Sequence, residues 1–494
     1  MKQYLLGIDV GTTGTKALLM DAAGGLVGHA YRPYPMLTPE VGYSEQNAED
    51  WWQAVCQTVQ EICSDPDIAE NVAAISLSLQ GGTVVPVDQD GNPLRTAIVW
   101  NDCRAVEQRD AYCKEVGPKE SMYEKTGWGL FEGMPAMEIR WMKENQRSIF
   151  EKAAMFLTVP DYISMKMTGI AAVDPSDAGI NQLSNIREGG YDPELLQFAG
   201  ITEAQLPKIV KSGDVIGHLT ETAAKELGLT TKTVLVAGAH DQYAVALGAG
   251  ASKAGDILIG SGTCWVVTAI GDKPAFETGL AQSVAAVPGL WGSLRSLSSG
   301  GVCLEWLRRS ITDDMSGQQI PYDVINEEVA KRRAAEDGLF FYPFSGKADG
   351  DKDFQKASFV GLDLSHDKFH LARAIMEGVV FQVMWMMESF STKPSQDGLK
   401  LAGGASKSEV WCQILADISG LPVRIPEVAD LACVGAAVLA GAGCGIYKDV
   451  LEGYKTLSVG ERVLYPNEER SKQYRALYEE YKATAKTLCA TYNL

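Results

Sequence analysis

Clusters of basic residues are missing from this chain. Lys and Arg total 44 against 63 Asp and Glu in 494 residues, a formal net charge of −19. Polyphosphate backbones are held by clustered cations, so nucleic acid and anionic membranes are poor partners for it. A nucleotide is not excluded, because backbone N–H groups and Mg²⁺ can hold one. Long apolar runs are missing too. Asp9 breaks the N-terminal run Tyr4–Ile8, and no other stretch approaches the roughly 18 apolar residues of a membrane span. The expected address is the cytosol. The 10 cysteines are scattered with no CxxC pair, and the 5 histidines stand apart. That excludes zinc spacing and points to reduced, mostly buried thiols.

What is present is long enough for two or more domains. Tyr4 to Val10 reads as a buried strand, Gly11-Thr12-Thr13-Gly14-Thr15 as a tight turn, and Lys16 to Met20 as the next strand. A dinucleotide fold or a P-loop leads from its glycines into a helix; here they lead into a strand. Asn47 reads as the N-cap of an amphipathic helix bearing Trp52, Val55, Val59 and Ile62, and Val72 to Leu79 as a strand. Residues 105–170 read as largely helical. Asp256 to Val267 echoes residues 5–19, strand to Gly/Ser/Thr turn to strand, so two similarly folded lobes are expected. The boundary is placed at residue 250, where small residues suit a hinge: 1–250 and 251–494.

Two segments carry chemistry. In Gly7-Ile8-Asp9-Val10-Gly11-Thr12-Thr13-Gly14-Thr15-Lys16, the glycines let backbone N–H groups approach an anion, and Thr12 and Thr13 add hydroxyls. Asp9 beside such a turn is a natural Mg²⁺ partner, largely through water. In Val234-Leu235-Val236-Ala237-Gly238-Ala239-His240-Asp241-Gln242, an apolar strand delivers Asp241 to its end, where a base for a hydroxyl acceptor could stand. His240 reads as a packed or solvated neighbour rather than a catalyst.

These segments resemble the FGGY carbohydrate kinases. The resemblance extends through Gly42-Tyr43-Ser44-Glu45-Gln46, Trp100-Asn101-Asp102 with Arg104, and Gly260 to Thr263. It is most specific at Ala357 to Leu362 followed by His370 to Glu377, similar to the family's C-terminal signature. It implies an α/β fold of two ribonuclease-H-like lobes, of the actin-like ATPase group, around a central cleft. The implied activity is ATP-dependent phosphorylation of a small sugar, first a pentulose such as xylulose because of Trp100-Asn101-Asp102. Another ketose, a polyol, a sugar acid or a non-kinase actin-like ATPase stand as alternatives.

By the same resemblance Asp241 is the general base. Gln80, Gly81, Asn101, Asp241 and Gln242 touch the sugar, and Asp9 and Asp241 hold Mg²⁺. Thr12, Thr13 and Lys16 neutralise phosphate charge, with Gly262 and Thr263 at the phosphates. Gly301 and Glu305 line the nucleoside side, and Gly403, Gly404 and Ser408 flank the adenosine of ATP. A homodimer is the family expectation. Family members carry side chains where this chain has Gly81-Gly82, so the sugar turn is expected to be roomier.

Overall fold

The computed structural model describes residues 2–492 apart from 277–278, 311–318, 335–337, 350–351, 355, 429 and 458. The chain divides into two compact units. The first gathers Met1–Ser252, Asp272–Gly292 and Val428–Val459; the second gathers Lys253–Gly271, Ser293–Glu427 and Gly460–Leu494. A single cut at residue 250 therefore does not describe the packing. Leu431–Gly443 belongs to the first unit because its apolar face, with Cys433, Val434 and Ala437, covers Leu5, Leu18 and Ala74 of the first sheet.

That first sheet has six strands in the order Val215–His218, Val234–His240, Val72–Leu79, Tyr4–Val10, Gly14–Asp21, Leu26–Pro33. Tyr4–Val10 pairs antiparallel with Gly14–Asp21 and parallel with Val72–Leu79, and the latter is parallel to Val234–His240. In the second unit, Ile257–Ser261 pairs antiparallel with Trp265–Gly271 and parallel with Leu399–Gly403. Val423–Pro426 then adds parallel and Glu461–Leu464 antiparallel. The strand directions repeat between the units, the structural form of the echo between residues 5–19 and 256–267.

Local signals in the sequence act as expected. Asn47 caps Ala48–Ile62, its side chain accepting from the Glu49 N–H at 3.2 Å, and Trp51, Trp52, Val55 and Val59 are buried against the first sheet. Small residues near 250 allow close packing. A Cβ on Gly248 would lie 2.0 Å from the Leu431 carbonyl oxygen, and one on Gly435 2.0 Å from that of Ala244. Helices Asp241–Gly248 and Leu431–Gly443 thus cross in backbone contact, which fixes the helix that begins with Asp241. In the second unit, Gly378 lets the signature helix Lys368–Met387 lie against the Phe341 carbonyl, where a Cβ would be 2.1 Å away.

No helix among the described residues is long and apolar enough to cross a membrane. No disulfide joins any of the ten cysteines; Cys63, Cys303, Cys412 and Cys433 are buried, whereas Cys103, Cys113 and Cys264 are exposed.

The helical layer of the first unit holds an acid with no hydrogen-bond partner. Glu138, on Pro135–Asn145, is fully buried and neither carboxyl oxygen is hydrogen-bonded. Burial first, then Asp102, pushes its pKa well above the carboxylate range, against the pull of Arg104 and Arg95. A carboxyl whose folded pKa is raised keeps its proton in the folded state. Its stabilising effect, relative to the unfolded chain, is therefore lost as pH climbs from about 4.5 through the folded value. Glu138→Gln should match wild type in thermal unfolding at pH 5 and exceed it at pH 8 by about 1 kcal/mol or more. A variant that loses ground to wild type as pH rises would show that Glu138 is a paired anion.

Candidate active site

Three parallel strands of the first unit end side by side, and their last residues carry the site. Asp9 pairs in register with Ser78, and Ser78 with Ala239, so Asp241 follows directly on the neighbouring strand. Open α/β sheets bind ligands at such carboxyl ends. Ser78 Oγ donates to Asp9 Oδ1 at 2.8 Å. Burial is the main reason the Asp9 carboxyl is pushed up to about 6; Lys16 and Ser78 pull it down, and Asp241 adds to the rise.

The turn after Asp9 is pinned from several sides. The Gly11 N–H donates to the Gly14 carbonyl at 3.2 Å, and the Tyr34 hydroxyl donates to the Gly11 carbonyl. Gln46 Nε2 donates to the Thr12 carbonyl at 2.7 Å, and Trp100 Nε1 to Thr12 Oγ1 at 3.2 Å. Thr13 is exposed. Lys16, expected to neutralise phosphate charge, is shared between carboxylates: Asp430 at 3.2 Å and Asp9 at 3.8 Å. Burial works against its charge, but Asp9 and Asp430 together hold its pKa above the ordinary lysine value. Its ammonium acts first as a counter-ion to these acids.

Asp241 opens the helix Asp241–Gly248, and its Oδ1 is buried with no hydrogen-bond partner. The rest of the side chain carries its 37% exposure, so the carboxylate can still meet a substrate hydroxyl from outside. Gln80 is buried; its Nε2 donates to Gln46 Oε1 at 3.0 Å while its own Oε1 has no partner. Gln242 is half-buried and Asn101 exposed. The neighbouring Asp102 is internal, accepting from the Ser44 N–H at 2.6 Å and from Arg104 Nε at 2.9 Å. Of Trp100-Asn101-Asp102, only the first two residues face outward.

The glycine pair does not make the turn roomy. A Cβ on Gly81 would meet His240 Cδ2 at 2.8 Å and Ile180 Cγ2 at 2.9 Å. Gly82 has φ +74°, and a Cβ there would touch Met134 and Trp100 at 3.1–3.2 Å. Neighbouring side chains occupy the space that side chains at 81 and 82 would take.

The second unit holds a cavity of about 980 Å³, within the range of small-molecule sites. Gly262, Thr263, Gly301, Glu305, Gly404 and Ser408 line it. Gly403 lies just behind: its φ is +96°, and a Cβ would sit 2.8 Å from the Ser261 backbone, so only glycine closes this turn. The Gly301 N–H donates to the Gly262 carbonyl at 3.1 Å, and a Cβ on Gly301 would be 2.5 Å from that oxygen. Ser408 caps Glu409–Ser419 and donates to Asn326 Oδ1 at 2.7 Å. Glu305 is not a free acceptor. Tyr322 at 2.8 Å, Arg309 at 2.9 Å and Arg308 at 2.6 Å engage its carboxylate and, the Tyr322 bond foremost, hold its pKa low.

Sequence reading missed Asp430 and the aromatic walls of this cavity. Asp430 reaches Lys16 from more than 400 residues away, and its one local signal is its place ahead of the Ala-rich helix Leu431–Gly443. Trp306 and Tyr322 line the cavity without any motif spacing.

The FGGY family of carbohydrate kinases, N-terminal domain, matches residues 4–248, and its C-terminal domain matches residues 255–444. The chain is 31% identical to a probable L-xylulose kinase of Haemophilus influenzae, covering 97% of both chains. It is 30% identical to a gluconokinase of Bacillus subtilis, covering 97% of this chain and 94% of that one. The solved xylulose kinase of Rhodospirillum rubrum superposes with a TM-score of 0.90 at 25% identity over the full length of both chains. A strand–turn–strand unit used twice, acids at the strand ends and both domain matches converge, and this chain is a member of the FGGY family of carbohydrate kinases, an α/β sugar kinase of the actin-like two-lobed fold.

Proposed function

We propose that this kinase transfers the γ-phosphoryl group of ATP to a hydroxyl of a pentulose such as xylulose, with Asp241 as general base. The observation that carries the reading is the half-exposed Asp241 carboxylate at a strand end two strands across the sheet from Asp9. The pentulose assignment draws on the L-xylulose and xylulose kinases among the relatives. A gluconokinase is equally similar in sequence. The local charge favours the uncharged sugar, because the Asp241 charge adds to the burial that raises the proton affinity of Asp9 and of Asp177, and Lys16 is already paired. An aldonate would bring a further carboxylate to that end of the sheet.

In this reading the sugar lies on the first unit, against Gln80, Gly81, Asn101 and Gln242, and ATP occupies the cavity of the second. Gly262 and Thr263 attend the phosphates. Gly404 and Ser408 flank the adenosine, with the Gly403 turn behind them and Gly301 and Glu305 on the nucleoside side. Among the described residues no three or more His, Cys, Asp or Glu side chains form a protein-only metal cage. Two carboxylates beside a phosphate site fit Mg²⁺, which keeps water and phosphate oxygens as most of its ligands. Asp9 and Asp241 would hold it, and when bound it supplies positive charge to the β- and γ-phosphates. Asp241 accepts the hydroxyl proton as the phosphoryl group departs, and the Thr12 and Thr13 turn presents N–H and hydroxyl donors to developing charge. A soluble cytosolic homodimer belongs to the same reading.

Asp241→Asn should retain sugar and ATP binding and lower kcat by roughly 10²–10⁴-fold. Sugar-dependent ADP formation by the purified, folded variant checks this; near-normal turnover contradicts the base assignment.

The nucleotide site gives a paired expectation. At Gly404 a Cβ meets nothing nearer than the Ser261 carbonyl at 3.4 Å. Gly404→Val should therefore fold, project its methyls into the cavity, and raise KM for ATP about tenfold or more with the sugar KM unchanged. Gly403→Ala should instead destabilise the protein, by roughly 1 kcal/mol or more, because its φ is left-handed. A sugar KM that rises in Gly404→Val while that for ATP stays constant contradicts the placement.

A further inference from the structure

His240 stands between the sugar turn and Asp241, and its surroundings are specific. The residue is buried, and its backbone N–H donates to Ser176 Oγ at 2.9 Å. Its ring lies between the indole of Trp128, 5.8 Å between centroids, and the ring of Tyr243 at 6.0 Å. Nδ1 accepts the Gln242 N–H at 3.4 Å, so the histidine side chain is the N-cap of the helix that Asp241 opens. N-caps are usually Ser, Thr, Asp or Asn, whose short side chains reach the first free N–H groups. A histidine performing this task is unusual, and it requires a lone pair on Nδ1, which puts the ring proton on Nε2.

The same Nδ1 lies 3.2 Å from Asp241 Oδ1, the oxygen that no donor in the protein satisfies. The imidazole thus covers the inner oxygen of the carboxylate, and the 37% exposure of the Asp241 side chain falls on its remaining atoms. On its other edge the ring fills the space beside residue 81, with Cδ2 2.8 Å from where a Cβ would stand. Gly81 therefore has no side chain because the imidazole occupies that volume.

We propose that His240 is a positioning residue for Asp241: it caps the Asp241 helix, covers the inner oxygen Oδ1 so that the rest of the carboxylate faces outward, and depends on the absence of a side chain at Gly81 for its place. The inference rests on the reading of Asp241 as the base. A base displaced by about 1 Å can cost on the order of 100-fold in rate, so the expected effect falls on kcat rather than on binding.

The test is a set of variants compared by kcat and KM for both substrates with a pentulose and ATP. His240→Ala should lower kcat by about 10- to 100-fold with either KM changed by less than about threefold. His240→Asn restores a capping oxygen and should recover kcat to within about threefold of wild type. Gly81→Ala pushes the ring away and should lower kcat as His240→Ala does, and the double variant should be no worse than the lower single, because both remove one interaction. Failure of His240→Asn to rescue, additive losses in the double variant, or a loss confined to the sugar KM would each overturn the proposal. Asp241→Asn in the same assay separates the two readings. If it is inactive and His240→Ala is fully active, the base stands and the positioning role falls. If it is fully active, the base assignment itself has failed.

Discussion

The parallel register of three strands is the constraint on which the rest of the first unit depends. Tyr4–Val10, Val72–Leu79 and Val234–His240 run side by side so that Asp9, Ser78 and the His240–Asp241 step reach the same edge. Parallel neighbours carry their carboxyl ends to one side, and only there can acids from chain positions 9 and 241 share a ligand. A one-residue slip would turn Asp9 to the opposite face of the sheet and bring Ile8 or Val10 to its place. The core prevents it: Leu6, Ile8 and Val10 on one face and Leu5 on the other are all fully buried.

Close backbone contacts then fix what the register delivers. Gly238 passes the Leu77 carbonyl so tightly that a Cβ would lie 1.7 Å from it, and Gly248 meets Gly435 across a helix crossing. The strand and the helix on either side of Asp241 are both held by glycines that nothing larger can replace. Electrostatics work within this frame. Carboxylates accumulate at one sheet edge, burial pushes Asp9 upward, and Lys16 with Asp430 spreads the compensation over two chain regions. The second unit repeats the strand plan with a different emphasis. Its turn carries Gly262 and Thr263, and it has an open cavity in place of the acids.

Much of this was legible in the chain because the signals are local. Strand–turn–strand units at 4–21 and 257–271, the Asn47 cap and the strand at 72–79 follow from alternating burial and turn chemistry over a few residues. Six of the seven expected second-unit residues line one cavity, for the same reason: glycines and hydroxyls in turns leave a readable pattern. What stayed hidden depends on distant partners. Asp430 as the counter-ion of Lys16, Glu305 saturated by Tyr322 and two arginines, and His240 filling the space beside Gly81 are packing outcomes with no spacing of their own. The apparent roominess of Gly81-Gly82 misled for that reason, since a missing side chain creates space only when no neighbour fills it. The discontinuous first unit was likewise invisible, because an Ala-rich helix carries no mark of which sheet it will cover.

The central claim is that the acidic strand edge belongs to an uncharged pentulose. Steady-state ADP release by the wild-type enzyme, measured as kcat/KM across ketopentoses, polyols and aldonates at fixed ATP and Mg²⁺, tests it most directly. The account predicts that a ketopentose such as xylulose leads the series and that gluconate falls behind by about 100-fold or more, the scale set by one unpaired buried charge or polar group. Gluconate at or above the best ketopentose would contradict it.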